Sequence, residues 1–291
     1  MSDLSIASPD ISLSVAGATA AELPSALPQA VDGAGVCLNC DTALTGAFCA
    51  DCGQGARQGR LTMAHVGSEL MTQVLSLDGT LVRTMVEMTT RPGGLIADYL
   101  QGRRRRYLGP LAYLFFGTAV WLLLSNLYEA QMVTWVHETV TSRQSTMNAV
   151  FSPAQLAAYQ VWTMRVAREI TYSMLAMSLG FAAMLRLLFR RTGINLAESL
   201  VFALYTFAHA GLIYGVLSTA LVLGAHLSFG MTMQLSYVIY AVFCAWAAAG
   251  VFGSPVRSSL KAIVALLVSY MAYGLVTGIG LVLAIYLTVP R

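Results

Sequence analysis

Four cysteines fall within sixteen residues of one another, as Cys37-Leu38-Asn39-Cys40 and Cys49-Ala50-Asp51-Cys52, with eight residues between the pairs. A Cys-x-x-Cys turn lets both sulfurs of a pair point at one ion, while backbone amides of the turn hydrogen-bond to the thiolates. Two such turns complete the closed tetrahedral shell of a structural zinc site, so the spacing predicts zinc held by Cys37, Cys40, Cys49 and Cys52. Gly53, directly after the last ligand, suits a tight turn. The competing readings are a pair of disulfides, which a reducing cytosol disfavours, and a redox Cys-x-x-Cys, for which one pair would suffice. A four-thiolate shell leaves no open position, which points to structure rather than catalysis. Between Val36 and Gly55 stand Asp41 and Asp51 and no Arg or Lys, so the attraction that a nucleic-acid reader exerts on phosphate is missing. Cys244, alone in an apolar run, reads as a packing residue.

The elements that must carry this site have the composition of a membrane protein. Of 291 residues, 57% are apolar and only 11% charged, and the mean hydropathy is +0.66. A soluble domain carries about a quarter charged residues. Residues 1–35 are rich in Ala, Ser and Pro without clear periodicity and read as a disordered cytosolic tail. Asp3 and Asp10 stand where a secretory signal would need positive charge. Residues 36–55 form the cysteine knuckle. Residues 61–107 read as amphipathic juxtamembrane helices lying at the membrane surface: one is capped by Asp78 and carries Leu81, Val82, Met85 and Met88 on a stripe. The next runs from Pro92 towards Gly102 with Leu95, Ile96, Tyr99 and Leu100 on one face. Residues 108–291 form the membrane domain, with spans expected at about 108–127, 170–189, 196–223, 233–252 and 262–288. The segment 128–152 is mixed, with Trp135, Val136 and Val140 as interfacial contacts. Ser152-Pro153-Ala154-Gln155 and Asn195-Leu196-Ala197-Glu198 both have the reciprocal capping pattern of a helix start. The fold class is therefore all-α and integral to the membrane.

Basic residues set the orientation. With the N-terminus inside, thirteen Arg and Lys side chains fall on the cytoplasmic side and four outside (Arg143, Arg165, Arg168 and Arg291). This places the knuckle in the cytosol and the C-terminus outside. Arg103, Arg104, Arg105 and Arg106, directly before the first span, read as an orientation signal and as a contact for anionic lipid head groups, worth about 1 kcal/mol per residue.

Cys37-x-Asn39-Cys40 with Leu44-Thr-Gly46-Ala-Phe48-Cys49-x-x-Cys52-Gly53-Gln54 resembles the opening of a bacterial family of zinc-ribbon membrane proteins catalogued only as a domain of unknown function. The resemblance continues through Arg91-Pro92-Gly93, Tyr99-Leu100-x-Gly102-x-Arg104, Arg106-Tyr107, Pro110 and Tyr113-Leu114, covering about residues 37–115. It departs at Asp41, where glycine is expected, although Asp tolerates left-handed backbone better than most residues. The resemblance implies zinc and membrane insertion, in a bacterial inner membrane, and supplies no activity.

Two polar groups within the apolar part invite weighing. Glu198 would either begin a helix as the third capping residue or line a path for ions. His209 lies fourteen residues beyond Asn195, roughly 20 Å along a straight helix, and would bridge helices as a neutral ring or serve a proton path. Small residues recur every fourth position: Ser199, Ala203, Gly211, Gly215 and Thr219, interrupted by Phe207, then Ala241, Ala245, Ala249 and Gly253, then Gly274 and Gly278. They read as helix-packing faces, including a face for a second copy. The metalloprotease, nucleophile-elbow, phosphate-loop and dinucleotide motifs are all absent. The reading is a non-enzymatic membrane protein with a docking or scaffold role. The alternatives are a transporter or channel subunit with His209 and Glu198 on its path, and a lipid-acting enzyme.

Overall fold

The computed structural model describes residues 35–56, 59–66, 79–142, 148, 151–168 and 170–288. The tail 1–34, Asp78 with its expected cap, and Arg57, Arg143 and Arg291 lie outside these residues. Helices start where the chain supplies a cap or a proline. After α1 (Gly79–Thr90), Pro92 opens α2 (Pro92–Leu100) and Pro110 opens α3 (Pro110–Ser125). A single tight turn at Asn126–Tyr128 joins α3 to α4 (Glu129–Ser142). Ser152 and Gln155 exchange the expected pair of bonds at the start of α5 (Pro153–Arg168), and α6 spans Ile170–Leu188. Asn195 and Glu198 form a complete capping box at the start of α7 (Leu196–Thr219). Ser228 accepts from the Met231 amide at the start of α8 (Phe229–Phe252), and Pro255 opens α9 (Pro255–Thr288).

Among the described residues, four helical stretches are long and apolar enough to cross a membrane: Pro110–Thr139, Leu196–Gly224, Phe229–Phe252 and Pro255–Leu287. This is a multi-pass membrane architecture. The expected second span at 170–189 appears as the shorter apolar helix Tyr172–Leu188. The first stretch outruns the expected 108–127, because the mixed segment stays helical as far as Ser142 and Trp135 packs edge-on against Phe229. Helix α7 is the hub, with 78% of its most apolar window buried against 39%, 33% and 22% for the other three.

Contacts fix the helix directions. Along α3 and onwards, Gly117, Trp121 and Tyr128 meet Ala208, Gly215 and Ser218 in that order, so α3 and α7 run parallel. On α6, Met174 meets Tyr240 while Phe189, past its end, stacks on Phe252, and Phe202 of α7 also meets Phe252, so α6 runs against α7. Phe207–Tyr240 and Phe202–Phe252 make α8 antiparallel to α7, and Tyr237–Tyr270 with Ser259–Ala245 makes α9 antiparallel to α8.

The juxtamembrane pair departs from the surface-lying expectation. Pro92, Gly93, Leu95, Ile96 and Tyr99 of α2 are all buried, packed against α8 and α7. A Cβ on Gly93 would lie 2.5 Å from the Gly250 Cα and 2.8 Å from the Ala247 carbonyl, a backbone-to-backbone approach open only to glycine. The α1–α2 hairpin is thus part of the bundle. On α1, Leu81, Met85 and Met88 pack against the core, while Val82 stays exposed.

Candidate metal centre and its mooring

The knuckle repeats one turn twice. In each half the first cysteine accepts from the amide four residues on (Asp41 to Cys37 O, 2.9 Å; Gly53 to Cys49 O, 3.0 Å) and donates to the carbonyl five residues on (Thr42 and Gln54, both 2.8 Å). That geometry needs a left-handed residue after the second cysteine, and Asp41 (φ 60°) and Gly53 (φ 70°) supply it. The departure at Asp41 is accommodated in the way its residue type allows. Isolated antiparallel bridges, Val36 with Ala43 and Phe48 with Gly55, close the two turns.

These turns bring all four sulfurs within 4.8 Å of one another, with Cys37–Cys52 at 3.6 Å and Cys40–Cys49 at 3.5 Å. A zinc tetrahedron with bonds of about 2.3 Å has sulfur–sulfur edges of about 3.8 Å, so the donor set fits one tetrahedral metal ion. The same distances exceed the roughly 2.04 Å of a disulfide bond, and all four cysteines are free. Backbone amides of Thr42 and Gln54 bond to the Cys40 and Cys52 sulfurs, and Asn39 adds a side-chain bond to Cys52. The Thr42 hydroxyl and then its amide bring the Cys40 thiol down to about 7, whereas burial pushes Cys52 up to about 12. Four sulfurs this close cannot all carry charge unaided; a bound dication would let them.

The knuckle is moored to the helices at two points that sequence reading missed. The Gln54 side-chain oxygen accepts from the Arg104 and Arg105 backbone amides, each at 3.2 Å, in the loop just before α3. Arg60, a few residues on, forms a fork on Glu198 (2.7 and 2.9 Å) and also donates to the Gly193 carbonyl. Donating to the Glu198 carboxylate raises the Arg60 guanidinium above its ordinary value. Glu198 also accepts from the Asn195 amide at 2.8 Å. Every bond recorded for Glu198 belongs to a cap or an ion pair.

The basic run does not act as one patch. Arg104 is 5% exposed, and its guanidinium bonds to His65 and the Gly59 carbonyl, which removes it from the lipid-facing set. Arg103 and Arg106 lie 3.8 and 3.9 Å from Asp98 and Glu87, and Arg105 is exposed. A polar knot anchors this loop. Tyr107 Oη lies 2.7 Å from Glu87 and 3.0 Å from Asp98, and Arg91 bonds to both carboxylates and to the Tyr107 oxygen. Burial and then the Glu87 bond raise the Tyr107 phenol well above its usual range, so it stays protonated and donates. The signal for this knot was available in a segment where Glu87, Arg91 and Asp98 break an otherwise apolar pattern.

His209 is 3% exposed and sits away from Glu198 and its partners. Its Nδ1 lies 2.6 Å from Tyr113 Oη and its Nε2 3.2 Å from Thr89 Oγ1, while Thr89 itself donates to the Met85 carbonyl. The proton count closes with a neutral ring: Tyr113 donates to Nδ1, and Nε2–H donates to Thr89. His209 thus ties α7 to α1 and α3. Inter-helix hydrogen bonds in membranes average about 0.6 kcal/mol. His209→Gln is therefore expected to leave the protein folded in detergent, with its melting midpoint lowered by only a few degrees. A collapse of the fold would contradict this bridging role.

Residues 78–122 match the model of a family described as "Protein of unknown function (DUF3667)". The match holds the second half of the resemblance, the α1–α2 hairpin and the Arg91–Glu87–Asp98–Tyr107 knot; the cysteines precede it. Comparison with curated proteins and with solved structures returns no match.

Proposed function

We propose that this chain is a bacterial inner-membrane scaffold whose cytosolic zinc knuckle is clamped to the start of the first span and offers a docking face to a protein partner. Parallel α3 and α7 support five crossings, since a chain that crosses twice in one direction must return between, and α6 runs the opposite way. Arg103, Arg105 and Arg106 remain available to anionic lipid at the same membrane face.

The observation that carries the docking reading is Phe48. It stands between the two cysteine turns and is 70% exposed, on a knuckle that Gln54 and Arg60 fasten to the helices. An exposed aromatic on a rigid mount is the kind of residue that anchors interfaces. A photocrosslinking residue at position 48, activated in native membranes, should give one discrete adduct that disappears when Cys49 and Cys52 are both replaced by serine. No adduct, or an adduct indifferent to those cysteines, would contradict the proposal.

A further inference from the structure

On the far side of the bundle from the knuckle, α3, α4, α6, α7, α8 and α9 enclose a cavity of about 390 Å³. That volume lies within the range of small-molecule sites, about 300–1,000 Å³. Among the described residues, the 22 that line it include no charged group and no histidine, and His209 turns the other way, towards Tyr113 and Thr89. These residues offer an ion or charged solute no counter-charge. Nine of the 22 are aromatic, among them Trp121, Trp135, Tyr214 and Phe229, which favours a flat ring that can stack or meet ring edges over a plain saturated chain. Tyr237 and Gly274 are exposed between α8 and α9, so the cavity opens on the outer surface of the bundle, where lipid lies.

Tyr240 lines the cavity and is 3% exposed, and among the described residues its hydroxyl donates to the Met174 sulfur at 3.6 Å and to no other acceptor. A thioether is a weak acceptor, and a buried hydroxyl is costly without a good one. Gly211 leaves the room this hydroxyl needs, since a Cβ there would sit 3.0 Å from it.

We infer that this cavity binds an uncharged membrane lipid with a planar, carbonyl-bearing ring, of the lipoquinone class, whose ring carbonyl accepts from Tyr240. The ring lies among the aromatic side chains, and its apolar tail leaves between α8 and α9. Only binding is assigned. The site rests on the membrane-spanning reading and is independent of zinc and of docking.

The test uses the full chain in detergent, titrated with a benzoquinone bearing a decyl tail. Two of its four tryptophans, Trp121 and Trp135, line the cavity, so bound quinone should quench their fluorescence. The expected result is saturable quenching. Tyr240→Phe should weaken it roughly tenfold, the worth of one hydrogen bond. Gly274→Phe should block it, because Gly274 lines the mouth and the backbone leaves room for a larger residue there, a Cβ meeting no atom within 4 Å. Melting curves check that both variants stay folded, and Tyr240→Phe decides alone if the other does not. Quenching that rises without saturation and equally in all three proteins means partition into the micelle and overturns the site. Equal binding of a brominated fatty acid with the same Tyr240 dependence overturns the ring assignment in favour of an acyl chain.

Discussion

Replacing Cys49 and Cys52 together by serine is expected to take zinc from about one ion per chain to none and to unfold residues 35–56 while leaving the helices in place. The knuckle has two isolated bridges and two tight turns, too little structure to stand unaided. In domains this small the free energy of binding structural zinc, on the order of 10 kcal/mol, is the folding energy. Once the second turn opens, Gln54 can no longer be held against the Arg104 and Arg105 amides, and the linker to Arg60 loses one of its two moorings. Limited proteolysis between Cys52 and Leu61 should therefore become rapid in the variant, and in the native protein after chelation. Full zinc occupancy in the variant would sink the ligand assignment. Loss of zinc with unchanged protease resistance would mean that the mooring does not depend on the metal.

Gly93→Leu should be the most damaging single change in the helical part. The new side chain would meet the Gly250 backbone, and no rotamer moves a Cβ that starts 2.5 Å from another Cα. Helices α2 and α8 must part, exposing Leu95, Ile96 and Tyr99 and disturbing the hairpin that carries Thr89 to His209. Overpacking of this kind costs about 3 kcal/mol or more, which lowers the melting midpoint by roughly 6–12 °C for a chain of this size. Gly278→Leu is the control, since a Cβ there meets nothing within 4 Å, and it should shift the midpoint by no more than a degree or two. Equal effects at the two glycines would show that α2 does not pack against α8 as described.

What could be read from the sequence was local. The cysteine turns and the caps at Ser152 and Asn195 depend on residues three to five apart, and each appears where its spacing put it. The long-range ties join residues 50, 120 and 138 positions apart (Gln54–Arg104, Thr89–His209 and Arg60–Glu198), and no periodicity encodes such pairs. An apolar stripe on α1 and α2 looks the same whether lipid or another helix will cover it, which is why the hairpin was expected at the surface. The ladder Ala241, Ala245, Ala249 and Gly253 runs one position away from Gly250, the residue that makes the close contact with Gly93. Arg103–Arg106 read as one charged block because sequence adjacency hides how a loop turns successive side chains towards different partners.

The proposed architecture is a five-crossing bundle with the knuckle on its cytosolic face. Fusing a reporter that is active only outside the cytoplasm after Arg191, and separately after Arg291, tests it most directly. Five crossings from an inside N-terminus predict a silent Arg191 fusion and an active Arg291 fusion. If Tyr172–Leu188 does not cross, the Arg191 fusion becomes active and the Arg291 fusion silent, and the account is contradicted.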